Sequence, residues 1–442
     1  MHDDDKMTSP LYIMSTPMGQ QQWYIEELPP MEQDNEPCGA VCEHSGSVQS
    51  TTAADTSPRA FITLDVGSAG TLNTPQSKMR NAKSGNSSAG KTTRPPLGGI
   101  GARASRGGTW ACKTFAASSS AQTPSPRGGC SWTKVGSKFL LFGGADARQQ
   151  HFADIHCFDA ATGKWEKTPV SGAQPCPRSG HSAVAFGESL MVYGGMGVNG
   201  EDGVTFNDLF ELRPGSTGGM EWVSIPCADS PPRNSHAAVL DGETMIIIGG
   251  ASPEGQTNEV FTIDLSNRPN LSCRRVCFEP PESETGGAHH SEGPVPTARE
   301  MHSACAYNSR GTEAEGATAV LLMGGRSATG VLRDLFSLNT ECWTWTRLKD
   351  APVARCAHSA CIVGAAGIMA IYGGWDGGTT VADDLHLYEL GCGEWTKPQI
   401  SPRPAGRFAH AACSVDGGGQ MLVFGGINPG EDLEDVVMLS TS

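Results

Sequence analysis

The sequence predicts an all-β fold, six like units in series behind a long low-complexity arm, and three observations carry that prediction. Glycine pairs recur near fifty residues apart, at Gly143-Gly144, Gly194-Gly195, Gly249-Gly250, Gly324-Gly325, Gly373-Gly374 and Gly425-Gly426. Each pair ends a short run that is apolar at every position: FLLF, LMVY, MIII, VLLM, MAIY and MLVF. Glycine (56 residues) and proline (29) are too abundant for a helical bundle and lack the strict period of collagen, which leaves a chain full of tight turns.

The arm comes first. Residues 1–107 are rich in Ser, Thr, Gly, Pro, Asn and Gln and poor in aromatics, so they cannot bury enough apolar surface to offset ordering entropy, and disorder is expected. Its charge is divided: 1–65 is acidic, 66–107 is basic without a single acid, and the chain as a whole carries −15. Like-charged blocks seek opposite partners. The segment 22–28 (QWYIEEL) is a short amphipathic island within it. The start, Met-His-Asp-Asp-Asp-Lys, has neither the basic nor the apolar region of a signal peptide, and no stretch approaches the ~18 apolar residues of a membrane helix. The chain is therefore expected in the cytoplasm or nucleus, with its 15 cysteines as reduced thiols.

From residue 108 each unit repeats one order of features. An Arg-x-x-His precedes the apolar run: Arg178 with His181, Arg233 with His236, Arg299 with His302, Arg355 with His358 and Arg407 with His410, while the first unit has Arg127 with Cys130. The run, apolar on both faces, reads as a strand covered on both sides. Glycine follows where the backbone must take positive φ or admit a close neighbour. A variable loop then leads to an acid before an aliphatic residue, at Asp154, Asp208, Glu259, Asp334, Asp384 and Asp435. A fourth strand opens on Trp165, Trp222, Trp343 or Trp345, and Trp395, and in the third unit on the stretch 273–278.

Four strands, a glycine pair and a tryptophan at this period resemble the kelch repeat of β-propellers. The resemblance covers about 335 residues and implies a six-bladed propeller at 108–442, with each blade a four-stranded antiparallel sheet whose first strand lies nearest the axis. The last unit lacks a tryptophan strand, and Gly108-Thr109-Trp110-Ala111-Cys112-Lys113 is comparable with the fourth-strand segment 393–398. Residues 109–115 are accordingly expected to supply the outer strand of the sixth blade and close the ring, leaving no open seam. The repeated glycines, with Trp110, Trp165, Trp222 and Trp395, are expected to be structural.

Candidate binding residues are the ones that vary between repeats. In the loops after the glycine pairs these are Arg148; Met196, Glu201 and Asp202; Glu254; Arg326; Trp375 and Asp376; and Asn428, Glu431 and Asp432. Trp375, in a glycine-flanked loop, is placed either to anchor an interface or to fold onto its own blade. The repeated histidines are expected to make structural hydrogen bonds inside each blade rather than converge on a metal, and the repeated arginines to meet the repeated acids. Cys38, Cys42 and His44, or Cys273 and Cys277, lack the paired spacing of a zinc site. No metal or cofactor is expected.

An insertion at 279–297 adds Glu279, Glu282, Glu284 and Glu292 to the loop-rich mouth, and one at 308–316 lengthens a hairpin on the far side. An acidic mouth favours a basic partner. The arm's own 78–106, with Lys78, Arg80, Lys83, Lys91, Arg94, Arg103 and Arg106, is a candidate intramolecular competitor. The resemblance implies a non-enzymatic scaffold that binds a protein or peptide on its loop face. The alternatives are a kelch-fold enzyme of galactose oxidase, mutarotase or specifier-protein type, and then a ubiquitin-ligase substrate adaptor. The oxidase reading needs two Tyr, two His and a linked Cys near the axis, yet two of the six tyrosines lie in the arm and Tyr193 and Tyr372 directly precede glycine pairs. Nucleic acid is disfavoured, because the basic block lacks interleaved aromatics for stacking.

Overall fold

The computed structural model describes residues 108–115, 122–199, 202–216, 218–268, 271–278, 294–307, 319–364, 367–415 and 419–441, together with the backbone of 12–15 and 21–24. Apart from those two short segments, the arm 1–107 with its expected disorder falls outside these residues, as do the competitor segment 78–106, the four insertion glutamates, the hairpin insertion 308–316 and Glu201. Tyr12–Ser15 and Gln21–Tyr24 pair as an antiparallel hairpin. Among the described residues no helix is long and apolar enough to cross a membrane.

Six antiparallel sheets form the blades. Blade 1 runs Ser131–Val135, Lys138–Phe142, Ile155–Asp159 and Lys164–Lys167, in that spatial order. The first strands of successive blades touch in a closed circuit, Ser131–Val135 against Ser182–Phe186 and onward to Ala411–Val415, so they surround the axis. The apolar runs are the second strands, and their alternation explains why they are apolar throughout. In Lys138–Phe142, Phe139 and Leu141 enter the core shared with blade 6, while Leu140 and Phe142 enter the core shared with blade 2. Among the described residues each of the six apolar cores is built from two neighbouring blades, and no blade has a core of its own.

The glycine pairs are fixed by two constraints at once. Gly143 and Gly144 have φ of 65° and 95°, a region costly to residues with a Cβ. A Cβ at Gly143 would also lie 2.7 Å from the Arg178 carbonyl oxygen, and one at Gly144 2.9 Å from the Gly128 carbonyl oxygen. The repeated arginines hold the same place. Each pairs with the repeated acid of its own blade, at 2.5 to 3.2 Å, from Arg127–Asp154 round to Arg407–Asp435. All six guanidinium groups are buried, and five also donate to the carbonyl of the first glycine of the pair. Losing one partner of such a buried pair costs about 3–5 kcal/mol, because the other charge is left unmatched.

Blade to blade, the backbone closes on itself. The residue two after each repeated arginine has positive φ: Gly129, Gly180, Ser235, Met301, Ala357 and Ala409. The amide of each donates to the carbonyl of the previous one, with Gly129 donating to Ala409, giving a ring of six hydrogen bonds of 2.7 to 2.9 Å around the axis.

Blade 6 consists of Ala411–Val415, Gln420–Phe424 and Val436–Thr441, and Thr109–Phe115 pairs antiparallel with the last of these, Trp110 opposite Thr441 and Phe115 opposite Val436. Trp110 is buried against blade 5. A fifth strand, not foreseen from sequence, lies outside three blades. Val170–Gly172, Cys227–Ala228 and Gln399–Ser401 leave one blade and run parallel to the outer strand of the next, covering the edges of blades 2, 3 and 6.

Candidate partner-binding face

One face of the ring gathers the loops between second and third strands and those between fourth and first strands. They join by isolated antiparallel bridges: the residue after each glycine pair meets the residue after the repeated arginine. The six pairs are Ala145 with Gly128, Met196 with Ser179, Ala251 with Asn234, Arg326 with Glu300, Trp375 with Cys356 and Ile427 with Phe408. Because the scaffold beneath is repeated, the chemistry of this face varies with these residues and the loop tips above them.

The sequence candidates are spread around the rim. Arg148 and Glu254 are exposed, and the Glu254 carboxylate accepts from the Ser252 hydroxyl at 2.7 Å. Arg326 is mostly buried and pairs at 2.8 Å with Glu300, which also accepts from the Gln256 amide at 2.7 Å, so a buried network ties blades 3 and 4. Trp375 is half-buried and its indole N–H donates to the Gly378 carbonyl at 2.7 Å, folding it onto its own loop; exposed Asp376 accepts from the Gly378 and Thr380 amides. Asn428 donates to the Gly406 carbonyl, and Glu431 is exposed. Asp432 accepts from the Ala147 amide at 2.8 Å, joining the blade 6 loop to blade 1. The backbone of Asp202 starts a short strand paired with Met196–Asn199.

Beneath the rim an axial cavity of about 750 Å³ is lined by all six blades. Of the sequence candidates whose side chains are described, only Met196 reaches its wall. Sequence reasoning missed Asp146, Gln149, His151 and Met301 there. A signal existed for Asp146, since it follows its glycine pair as Asp376 follows its own.

The histidine expectation needs correction. His181, His236, His302, His358 and His410 do not bond within their blades; each reaches back to the preceding one. His181 meets the Ser131 hydroxyl at 2.8 Å, His236 meets Ser182, His358 meets Ser303 and His410 meets Ser359, while His302 donates to the Ile248 carbonyl at 3.1 Å. The cause is the glycine pair. With no Cβ on Gly143, the His181 ring packs over the blade 1 backbone and its Nε2 reaches the first strand there. One from each of blades 2 to 6, the five also line the axial cavity. Burial holds them neutral, with the neighbouring arginine charge adding to the effect: His236, His302 and His410 are pushed down to about 3, and His181 and His358 are lowered too.

Among the described residues no three His, Cys, Asp or Glu side chains gather where they could hold a metal ion. The buried Tyr193 and Tyr372 hydroxyls donate to the Pro231 and Ala405 carbonyls.

Residues 139–437 match the model of the Attractin/LZTR1 β-propeller family. A leucine-zipper-like transcriptional regulator 1 homolog of Drosophila melanogaster is 26% identical over 302 residues, which is 65% of this chain and 28% of that protein. Kelch domain-containing protein 3 of Homo sapiens is 27% identical over 252 residues, 54% of this chain and 59% of that protein. Acyl-CoA-binding domain-containing protein 4 of Arabidopsis thaliana is 36% identical over 147 residues, 32% of this chain and 21% of that protein. The chain thus spans less than two thirds of the length of each of these relatives.

Proposed function

Since the chain belongs to the Attractin/LZTR1 β-propeller family, we propose that it is a non-enzymatic protein-interaction module whose loop face docks a partner polypeptide. The observation that carries this reading is the division of labour between repeated and varied residues. The repeated arginines and histidines are consumed in intrablade ion pairs and interblade hydrogen bonds. The residues that differ from blade to blade, Arg148, Glu254, Trp375, Asp376 and Glu431 among them, lie on one rim. A ring of rigid blades presents them without ordering cost, which favours binding. The same spending of polar groups speaks against chemistry, because Tyr193 and Tyr372 are committed to backbone carbonyls.

Proximity labelling with the full chain tests the reading. A partner recovered with the wild type should be lost with Trp375→Ala/Asp376→Ala and retained with Lys138→Ala, an exposed residue beside the turn between the first and second strands of blade 1, at the opposite end of the blade. Equal recovery with both variants overturns the assignment of the face.

A further inference from the structure

We propose that the axial cavity is the seat of one cationic side chain, a lysine or arginine of the docked polypeptide, with Asp146 as its counter-charge. The inference rests on the reading of the loop face as a docking surface and gives that surface its ligand chemistry.

Three observations lead to it. The first is the charge of the wall. Among the described residues lining these roughly 750 Å³, Asp146 is the only one with a formal charge; every other is apolar, a small polar residue, glutamine or histidine. The ring histidines are kept neutral by burial, and burial likewise outweighs the pull of Asp146 on His151, so among the described residues of the wall no cation answers the carboxylate. The exposed Arg148 on the same loop does not line the cavity.

The second is how firmly that carboxylate is held. Asp146 Oδ1 accepts from the Arg148 and Gln150 amides, at 3.0 and 2.8 Å, which fixes it against its own loop. The Ala147 amide is held in turn by Asp432, so a second carboxylate stands beside the first across the seam of blades 6 and 1. Burial, together with the charge of Asp146, raises the Asp432 carboxyl above its ordinary value. Two neighbouring acids with no cation between them among the described residues are a focused negative potential, and a bound cation relieves it.

The third is the rest of the wall. Met196 and half-exposed Val198 of the blade 2 hairpin line the same cavity as Asp146, and Met301 lies deeper on the axis ring. Apolar walls and a carboxylate are what a lysine or arginine needs, with an aliphatic stem to bury and one charge to match. A bare metal ion would need several ligands, and no such group exists among the described residues.

The methionines supply the readout. With the full 442-residue chain labelled at its methionine methyls, the Met196 and Met301 signals are followed during titration with peptides of the form acetyl-Gly-Gly-X-Gly-Gly-amide, X being lysine, arginine, norleucine or glutamate. Lysine and arginine peptides should move both signals and bind at least tenfold more tightly than norleucine, with the preference fading as salt is raised. Asp146→Asn keeps the oxygen that accepts the two amides, so its melting temperature should stay the same while the preference disappears. Should that variant fold poorly, Asp432→Asn, which likewise keeps its acceptor, should lower the preference at least threefold. Equal binding of lysine and norleucine, or an undiminished preference in folded Asp146→Asn, overturns the inference. A partner that needs Trp375 and Asp376 but ignores Asp146→Asn also overturns it and leaves the docking face standing. Charge-selective peptide binding beside a partner indifferent to the rim supports the cavity and overturns the docking face instead.

Discussion

The seam between blades 6 and 1 and the other five seams solve one problem in two ways. At the five, an imidazole crosses from one blade to the first strand or glycine run of the blade before. At the sixth, Cys130 stands where the histidine would be and Ala411 where its serine partner would be, so both halves of the polar bridge are missing together. Aromatic packing takes its place: Trp132 and Trp165 of blade 1 meet Phe424 of blade 6 at 5.9 and 5.2 Å between ring centroids. The backbone ring is continuous across both kinds of seam. What the contrast teaches is that the hydrogen-bonded ring and the shared apolar core are the general devices, and the imidazole bridge an addition to them.

The largest expected effect comes from attacking the blade that forms the closing seam. Blade 6 obtains its fourth strand from Thr109–Phe115, whose Trp110 and Cys112 lie in the core shared with blade 5. Replacing a buried tryptophan by alanine costs about 3–5 kcal/mol on its own, and losing the strand also bares the edge of Val436–Thr441. Deleting residues 1–120 should therefore cost more than ~5 kcal/mol and lower the melting temperature steeply, whereas deleting 1–107 should leave it within a degree or two. Thermal denaturation of both truncations checks this. Equal melting temperatures would mean that the strand fastens nothing.

Much of this scaffold was legible in the sequence because its signals are repeated. Gly143-Gly144 and its five counterparts mark positions where positive φ and a nearby carbonyl leave no choice of residue, and FLLF marks a strand that serves two cores. The Arg–acid pairs were legible for the same reason. The direction of the histidine bonds was not, since a one-per-unit spacing is identical whether a side chain turns to its own blade or to its neighbour. Nor were Val170–Gly172 or Cys227–Ala228, strands too short to carry a period. The cavity was hidden further still: its wall is assembled from single residues some fifty apart, several as plain as Gly180, Ala357 and Ala409. Of the site, the rim could be read and the well beneath it could not.

Acid separates the two kinds of seam by a smaller margin. His410 titrates at about 3 in the folded chain, against about 6.5 when exposed, because burial and the Arg407 charge disfavour its cation. Between those values the unfolded chain holds a proton that the folded chain refuses, so stability is complete above pH ~6.5 and falls as the pH drops toward 3. The slope is about 1.4 kcal/mol per pH unit for each such group, or of the order of 2 kcal/mol at pH 5. The double change His410→Cys/Ser359→Ala gives the blade 5/6 seam the residues of the closing seam. It should be less stable than wild type at pH 8, and that deficit should shrink by about 2 kcal/mol at pH 5. Urea unfolding at the two pH values measures it, and a pH-independent deficit would mean that His410 takes up its proton in the fold as readily as in the unfolded chain.

The smallest effect bears on the device both kinds of seam share. Two of its members are glycines, but Ala357 and Ala409 carry a Cβ at φ of 51° and 54°. An alanine in this region costs roughly 1–2 kcal/mol, while a glycine there gives the unfolded chain about 0.4–1 kcal/mol of extra entropy to lose. Strain relief exceeds that entropy by a small amount, so Ala357→Gly and Ala409→Gly should each stabilise the ring, by no more than ~1 kcal/mol. Ala409 accepts the amide of Gly129 across the closing seam and Ala357 that of Ala409 across an imidazole seam, both at 2.8 Å. Equal gains at the two positions, measured by chemical unfolding, would show that the backbone ring bears alike on both kinds of seam. A gain at one with a loss at the other would show that the seam chemistry reaches down into the ring.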